Sequence, residues 1–413
     1  MLHATRYLAK RRKYLERLDE AGKQAATSSL AVQREYLEVA ARNITEPRNF
    51  MFALEKLRAE GGEAPGRDGL RYGDLTNRDA WEMCNRLSTT MRRNGYRPHA
   101  PRRVAVPKSS GNGTRPLELP SIVDRVAQVG ILQVIQPILD AGFSELSFGY
   151  RPGRDRLHAF ASAEQLARAT DRWVWLTEDI QDAFTRVHLE SLYEILFERL
   201  PNEQLVNLIR MATSFQRDRG LIQGGPLSPL LLNLYLDEQL DRPWQTIHPG
   251  APLLRVADDL LVLSVSREEA QACYDALASL LTPVGMLLKG RPQTAICRMA
   301  DGEPTSWLGF ELRFTEGGVE YSLTDRLWRQ LSDELALAHE HRRAPIWALQ
   351  VVWGWLNQLG PAVPGLDVAE IHRELRDRLE EEGLECPTES EVGTVLSRAY
   401  QRWRSTCERM DCA

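Results

Sequence analysis

The stretch Leu254-Arg255-Val256-Ala257-Asp258-Asp259-Leu260-Leu261-Val262-Leu263 decides how this chain is read. Two adjacent carboxylates interrupt a run that is otherwise apolar and suited to buried strand. The pattern predicts strands at Val256 and over Leu260 to Val265, with Ala257-Asp258-Asp259 at the bend of a hairpin. Side chains alternate along a strand, so the two aspartates point different ways and only one faces a given site directly. Alone, such a turn is most simply a solvated one. A second acidic strand end changes the balance. Trp173-Val174-Trp175-Leu176-Thr177-Glu178-Asp179-Ile180 reads as a buried strand ending in a carboxylate, a placement that favours a ligand or metal.

Asp179, Asp258 and Asp259 thus come from two core strands. Two unit charges about 4 Å apart repel by about 4 kcal/mol at an effective dielectric of about 20, so an uncompensated cluster is costly. Divalent cations relieve that cost, and an oxygen-only donor set favours Mg²⁺, with Mn²⁺ as the alternative, over zinc. Two such ions stabilise both the attacking and the leaving oxygen of a phosphoryl transfer. A phosphate-binding partner is available upstream. Residues Arg102 to Pro120 read as a β-hairpin with its tip at Ser109 to Thr114, and Lys108 and Arg115 flank that tip. Both cations reach one ligand from there, and a triphosphate suits them, since guanidinium binds phosphate oxygens bidentately and ammonium adds a mobile charge. The adjacent glycines of Gln223-Gly224-Gly225-Pro226-Leu227-Ser228-Pro229 permit close approach of backbone to template or nucleotide.

At 413 residues the chain has room for two or three domains, and its 26% charged and 43% hydrophobic residues are those of an ordinary globular protein. No uninterrupted apolar run approaches the roughly 18 residues that span a bilayer, so no membrane partner is expected. The basic N-terminus lacks the apolar core of a secretory signal. Six cysteines, at 84, 273, 297, 386, 407 and 412, form no CxxC pair and no zinc spacing. Reduced thiols and a cytoplasmic location are the expectation. The net charge of −5 argues against nucleic acid until its distribution is seen. Arg92, Arg93, Arg97, Arg102, Arg103, Lys108, Arg115 and Arg125 crowd one segment, against only Glu118 and Asp124, while the tail carries Glu380-Glu381-Glu382. Screening limits each field to about 8–10 Å, so a phosphate backbone responds to the local cluster.

Around these parts, periodicity predicts two N-terminal helices broken near Thr27-Ser28-Ser29, with Ser28 or Ser29 as an N-cap. Further helices are expected near Asp79 to Asn94, Ser121 to Ala141, Asp155 to Ala169, from His188, through Leu240, and over Glu268 to Leu281. Trp307 begins a second small hairpin, and Leu323 to Cys412 is mostly helical.

The motifs carry a resemblance. Arg115-Pro116-Leu117-Glu118-Leu119-Pro120 with Asp124-Arg125, Phe148 to Arg154, Gln223 to Pro229 with Asn233, Val256 to Asp259, and Trp307 to Leu312 resemble, in order, the conserved elements of bacterial reverse transcriptases of the group II intron lineage. The likeness covers roughly Ala53 to Leu312. It implies an α+β right-hand polymerase fold: an N-terminal helical extension over residues 1–50, fingers over 51–170, palm over 171–312, and a helical thumb with C-terminal tail over 313–413. It implies RNA-directed DNA synthesis from dNTPs with two magnesium ions, an RNA template and a DNA primer or product.

By the same resemblance Asp179 and Asp258 are the principal metal ligands. Asp259 shares the acidic site, and Ile180 belongs to the metal site with the three aspartates. Lys108, Arg115, Asp182, Ala183, Phe184 and Gln223 contact the nucleotide, and Trp307, Leu308, Gly309 and Phe310 grip the primer. Arg102, Arg103, Arg125, Arg151 and Arg154 meet nucleic acid. Phe184, five residues after Asp179, falls where an aromatic steric gate excludes a 2′-hydroxyl. Overpacking of that kind costs about 1–3 kcal/mol, a roughly tenfold to hundredfold preference for dNTPs. Two departures stand out: Val256 replaces the usual tyrosine, and Gln293-Thr294 replaces a Lys-Thr pair, leaving Lys289 or Arg291 as substitutes. Three readings follow: a stand-alone enzyme copying a partner non-coding RNA in antiphage defence, an intron maturase, or a catalytically silent RNA-binding scaffold. The oligomeric state is not legible.

Overall fold

The computed structural model describes residues 2–60, 64–107, 114–215, 217–316, 318–340 and 344–411. Its strands, in chain order, are β1 (Arg102–Pro107), β2 (Thr114–Leu119), β3 (Val174–Asp179), β4 (Leu253–Val256), β5 (Asp259–Ser264), β6 (Ile296–Arg298), β7 (Thr305–Trp307), β8 (Phe310–Thr315) and β9 (Gly318–Leu323). They form three antiparallel sheets, in the orders β1-β2, β4-β5-β3-β6 and β7-β8-β9. Helices make up the rest, giving the α+β architecture expected of the chain.

The four-stranded sheet is apolar on both faces, and each face belongs to a different core. Val174, Leu176, Leu253, Leu260, Val262 and Ile296 face a core built largely from the N-terminal two thirds of the chain. Trp175, Leu254, Leu261 and Leu263 face a second core, formed with the helix Arg156–Thr170, the β7-β8-β9 sheet and the C-terminal helices. Strand alternation produces this division directly, since neighbours along β3 and β5 point to opposite sides. Asp179 shares its parity with Trp175, so it opens at the edge of the second core.

The N-terminal helices Leu2–Ala26 and Leu30–Ile44 separate where expected, with Ser29 as N-cap residue, though its side chain makes no capping bond. They cover the helix Ile122–Asp140. Tyr36 donates its hydroxyl to the Val134 carbonyl at 3.0 Å, and a Cβ on Gly22 would lie 2.6 Å from Pro137. That covered helix is long and apolar enough, by length and composition, to cross a membrane, although polar residues interrupt its apolar run. Its most apolar window is 72% buried within the protein, and it carries Asp124, Arg125 and Gln128, all buried. A core helix meets the same measure as a membrane span.

The structure also adds elements that the pattern did not predict. β6 is too short to carry an alternation signal, and β9 turns the expected hairpin into a three-stranded sheet. The helix expected to run through Leu240 is α-helical over Ser228–Leu236 and then widens into a π-turn over Asp237–Asp241. Among the described residues the cysteines at 84, 273, 297 and 386 are free thiols.

Candidate active site

β3 lies at the centre of its sheet, and β5 pairs with it so that Asp179 is directly opposite Asp259. Directly paired residues project to the same face. The hairpin turn is one residue tighter than the sequence suggested: Asp259 already belongs to β5, and the turn proper is Ala257-Asp258. Ala257 takes a left-handed backbone, with φ of 59°. The Ile180 N–H donates to the Asp258 carbonyl at 3.0 Å, tying the end of β3 to that turn. The side chain of Ile180 is fully buried, so only its backbone is available to the site.

The three carboxylates feel burial and one another's charge. Burial raises Asp179, and the cations of Lys289 and Arg326 partly offset it. Asp258 is raised by burial and then by the charge of Asp179. Asp259 is pushed up to about 7, by burial first and then by Asp258 and Asp179. Among the described residues no group of three acidic, histidine or cysteine side chains is arranged so as to hold a metal ion. The acidic side chains nonetheless offer only oxygen donors, and their negative charge is only partly offset, which fits a hard divalent cation such as Mg²⁺ or Mn²⁺.

Two cations border the cluster. Lys289 Nζ lies 3.6 Å from Asp179 Oδ2, and the Lys289 N–H donates to the Asp179 carbonyl at 3.0 Å. Glu178, on the opposite face of β3, holds that segment in place: its Oε1 accepts from the N–H groups of Gly290 and Asp179, each at 2.9 Å. Arg326 comes from the helix Asp325–Ala336, far along the chain, and nothing in its sequence context announces the role.

A buried ionic network fixes the turn from behind. Arg255 is 0% exposed. Its Nε and Nη2 donate to the Asp241 carboxylate at 2.9 and 2.6 Å, and its Nη1 donates to Asn233 Oδ1 at 2.9 Å and to the Ala257 carbonyl at 3.1 Å. Asn233 in turn donates to the Gly149 carbonyl at 2.6 Å. The segment before Gly149 pairs with the outer edge of β4, Arg255 N–H donating to Leu146 and Phe148 N–H to Arg255. A charged residue between Leu254 and Val256 was the signal in the sequence, because a charge inside a core strand requires a partner.

The remaining expected residues divide. Asp182 is exposed and caps the short helix Ala183–Arg186, and Ala183 is buried. Phe184 is half-buried, and its ring meets that of Tyr150 edge-on at 6.4 Å. Gln223 accepts at its backbone carbonyl from Glu118 N–H at 2.8 Å, which docks its loop on β2. Gly224 makes that contact feasible, since a Cβ there would lie 2.7 Å from the Glu118 carbonyl. Lys108 falls outside the described residues, as does the side chain of Arg115, whose backbone pairs with Val106 in β2. Trp307 and Phe310 are buried against Phe160, with ring centroids 5.4 and 5.5 Å away. The turn between them, Leu308-Gly309, is half-buried, with Leu308 packed against the second core, and the rings anchor the hairpin.

The arginines expected at nucleic acid need correction. Arg125 is buried and donates to the Ala64 carbonyl at 2.7 Å. Arg151 is buried too, paired with Asp140 at 2.8 Å and bonded to the Ser144 and Ser147 carbonyls. Arg154 binds Glu145, and Arg102 donates to the Pro65 carbonyl at 2.9 Å. Arg103 keeps an exposed side chain, though it pairs with Glu118 at 3.2 Å. Composition counted these charges without seeing that most were occupied within the fold.

Comparison with known proteins places this geometry. Residues 106–312, half of the chain, match the family model described as reverse transcriptase (RNA-dependent DNA polymerase). Protein YkfC of Escherichia coli (strain K12) is 31% identical over 228 residues, 52% of this chain and 58% of that protein. The group II intron-encoded protein LtrA of Lactococcus lactis subsp. cremoris is 25% identical over 167 residues, 38% of this chain and 27% of that protein. The match therefore spans little more than half of YkfC and about a quarter of LtrA. Among solved structures, a chain of the "Partial Cas6-RT-Cas1--Cas2 complex" aligns at 24% identity with a TM-score of 0.36, over 58% of this chain and 41% of that one. On the extent of the family match, with the acidic strand pair inside it, this chain belongs to the reverse transcriptase family.

Proposed function

We propose that the protein is an RNA-directed DNA polymerase that extends a primer with dNTPs along an RNA template, using Asp179, Asp258 and Asp259 to hold two magnesium ions. The observation that carries this reading is the register of β3 on β5, which sets Asp179 opposite Asp259 with Asp258 at the adjoining turn. When bound, the ions supply Lewis-acid stabilisation of charge on the attacking and leaving oxygens. The chain's own residues do the rest. Lys289 and Arg326 temper the negative charge of the carboxylates. Lys108 and Arg115 hold the triphosphate, Gln223 borders the nucleotide, and the Phe184 ring closes the space where a 2′-hydroxyl would sit. Arg103 is the expected nucleic-acid contact that keeps an exposed side chain, and the Leu308-Gly309 turn faces the primer.

Primer extension on a primed RNA with Mg²⁺ tests the proposal. The wild-type chain extends with dNTPs, and the Asp258→Ala, Asp259→Ala double variant does not while remaining folded. Equal use of ribonucleotides and deoxyribonucleotides by the wild type would defeat it. A partner non-coding RNA as template and a role in antiphage defence extend the proposal on family likeness alone. Sequencing nucleic acid that co-purifies with the wild type but not with the double variant identifies the template. A phage challenge with and without the same variant tests the role.

A further inference from the structure

Tyr150 has an unusual set of properties. It is a large aromatic residue left 54% exposed, and its backbone is in the left-handed region at φ 57°. Side chains with a Cβ seldom adopt that conformation unless the surroundings impose it. Here they do, from both sides. A Cβ on the preceding Gly149 would lie 2.3 Å from the Ala257 backbone nitrogen, so the loop is seated directly on the acidic turn. Asn233 holds the Gly149 carbonyl at 2.6 Å, and Arg255 joins Asn233 to Ala257. On the other side, the buried Arg151 fastens the loop to Asp140, Ser144 and Ser147. The chain before and after Tyr150 is locked, and the ring is held out from the core with its edge contact on Phe184, at 6.4 Å and 76°.

We infer that Tyr150 is a positioning residue for sugar discrimination: from a loop locked to the acidic turn, its ring braces the Phe184 ring at a fixed angle. The inference rests on the proposed role of Phe184 as the barrier to a 2′-hydroxyl. A barrier ring excludes an extra oxygen only as well as its own position is held. Phe184 is half-buried, on a helix of four residues, Ala183–Arg186, and such an element orients a side chain weakly by itself. The Tyr150 edge supplies lateral support, and because it is carried by the loop seated on Ala257, the barrier is registered against the carboxylates as well as against its own helix.

The test is competition between dTTP and UTP on a primed RNA template, read as the ratio of kcat/KM values for the full chain. Tyr150→Leu lowers the deoxy-over-ribo ratio about twofold to tenfold, the range an edge-to-face ring pair supports, while dTTP extension alone is largely kept. Tyr150→Phe preserves the ring and retains the wild-type ratio. Phe184→Ala lowers the ratio further, and adding Tyr150→Leu to it produces no additional fall, because the two rings act as one unit. Thermal midpoints of all four variants separate lost folding from lost selectivity.

If Phe184→Ala collapses the ratio and Tyr150→Leu leaves it unchanged, the bracing role is refuted and the barrier stands. Loss of the ratio in Tyr150→Phe equal to that in Tyr150→Leu would refute the ring contact in favour of the hydroxyl. If Phe184→Ala itself leaves the ratio unchanged, the barrier assignment and this inference fall together.

Discussion

Replacing Asp259 by asparagine should stabilise the metal-free protein at neutral pH, although it removes a residue assigned to catalysis. Asp259 is raised from an ordinary 3.8 to about 7 by burial and by the charges of Asp258 and Asp179. Three powers of ten in proton affinity correspond to about 4 kcal/mol at about 1.36 kcal/mol per tenfold. A raised carboxyl favours its protonated form in the folded state. The cost of ionising it is therefore absent below about pH 4, grows as pH rises, and is complete above about pH 7. Because the three carboxylates share the repulsion, and asparagine gives up a charge that Lys289 and Arg326 partly compensate, the recoverable share is about 1–3 kcal/mol. Urea denaturation in EDTA at pH 5 and pH 8 measures it. The wild type should lose stability between those values, and Asp259→Asn should lose less, standing above the wild type at pH 8. Equal slopes for the two proteins, or a less stable variant at pH 8, would refute the reasoning.

Other perturbations follow from the same region. Asp241→Asn strips the counter-charge from the fully buried Arg255 and should cost about 3–5 kcal/mol in urea denaturation. Gly149→Ala drives a Cβ into the Ala257 backbone, so a folded variant should lose about tenfold or more in primer extension through displacement of the acidic turn. Magnesium at about a hundred times its dissociation constant should stabilise the wild type by about 2.7 kcal/mol in calorimetry at pH 8. The Asp258→Ala, Asp259→Ala variant should show almost none of that gain.

The sequence revealed the acidic hairpin, the long helices and the order of the motifs, because each is written in local periodicity or in a rare residue at a buried position. What stayed hidden was set by distance along the chain. Arg326 acts on the carboxylates from a helix that follows the third sheet along the chain, and no spacing rule links it to Asp179. Arg125 and Arg151 looked like a basic surface because composition counts charges without their partners; the structure sends both inward, to the Ala64 carbonyl and to Asp140. Trp307 and Phe310 were assigned to a ligand when their rings pack on Phe160. The bend expected over Ala257 to Asp259 was one residue too long, because Asp259 belongs to β5 and lies directly across from Asp179.

The central sheet lends its two oily sides to two separate cores, and this constrains how the protein can be shortened. Cutting the chain after Leu323 would leave Trp175, Leu254, Leu261 and Leu263 covered by the helix Arg156–Thr170 and β7, but would strip the C-terminal helices from the outer side of that helix and from β9. A fragment chosen to retain every motif would thus present a bare apolar slab on the layer that backs its central sheet, and a minimal enzyme made by trimming would clump before it could be assayed. Miniaturisation of this scaffold has to repaint that slab with polar residues first.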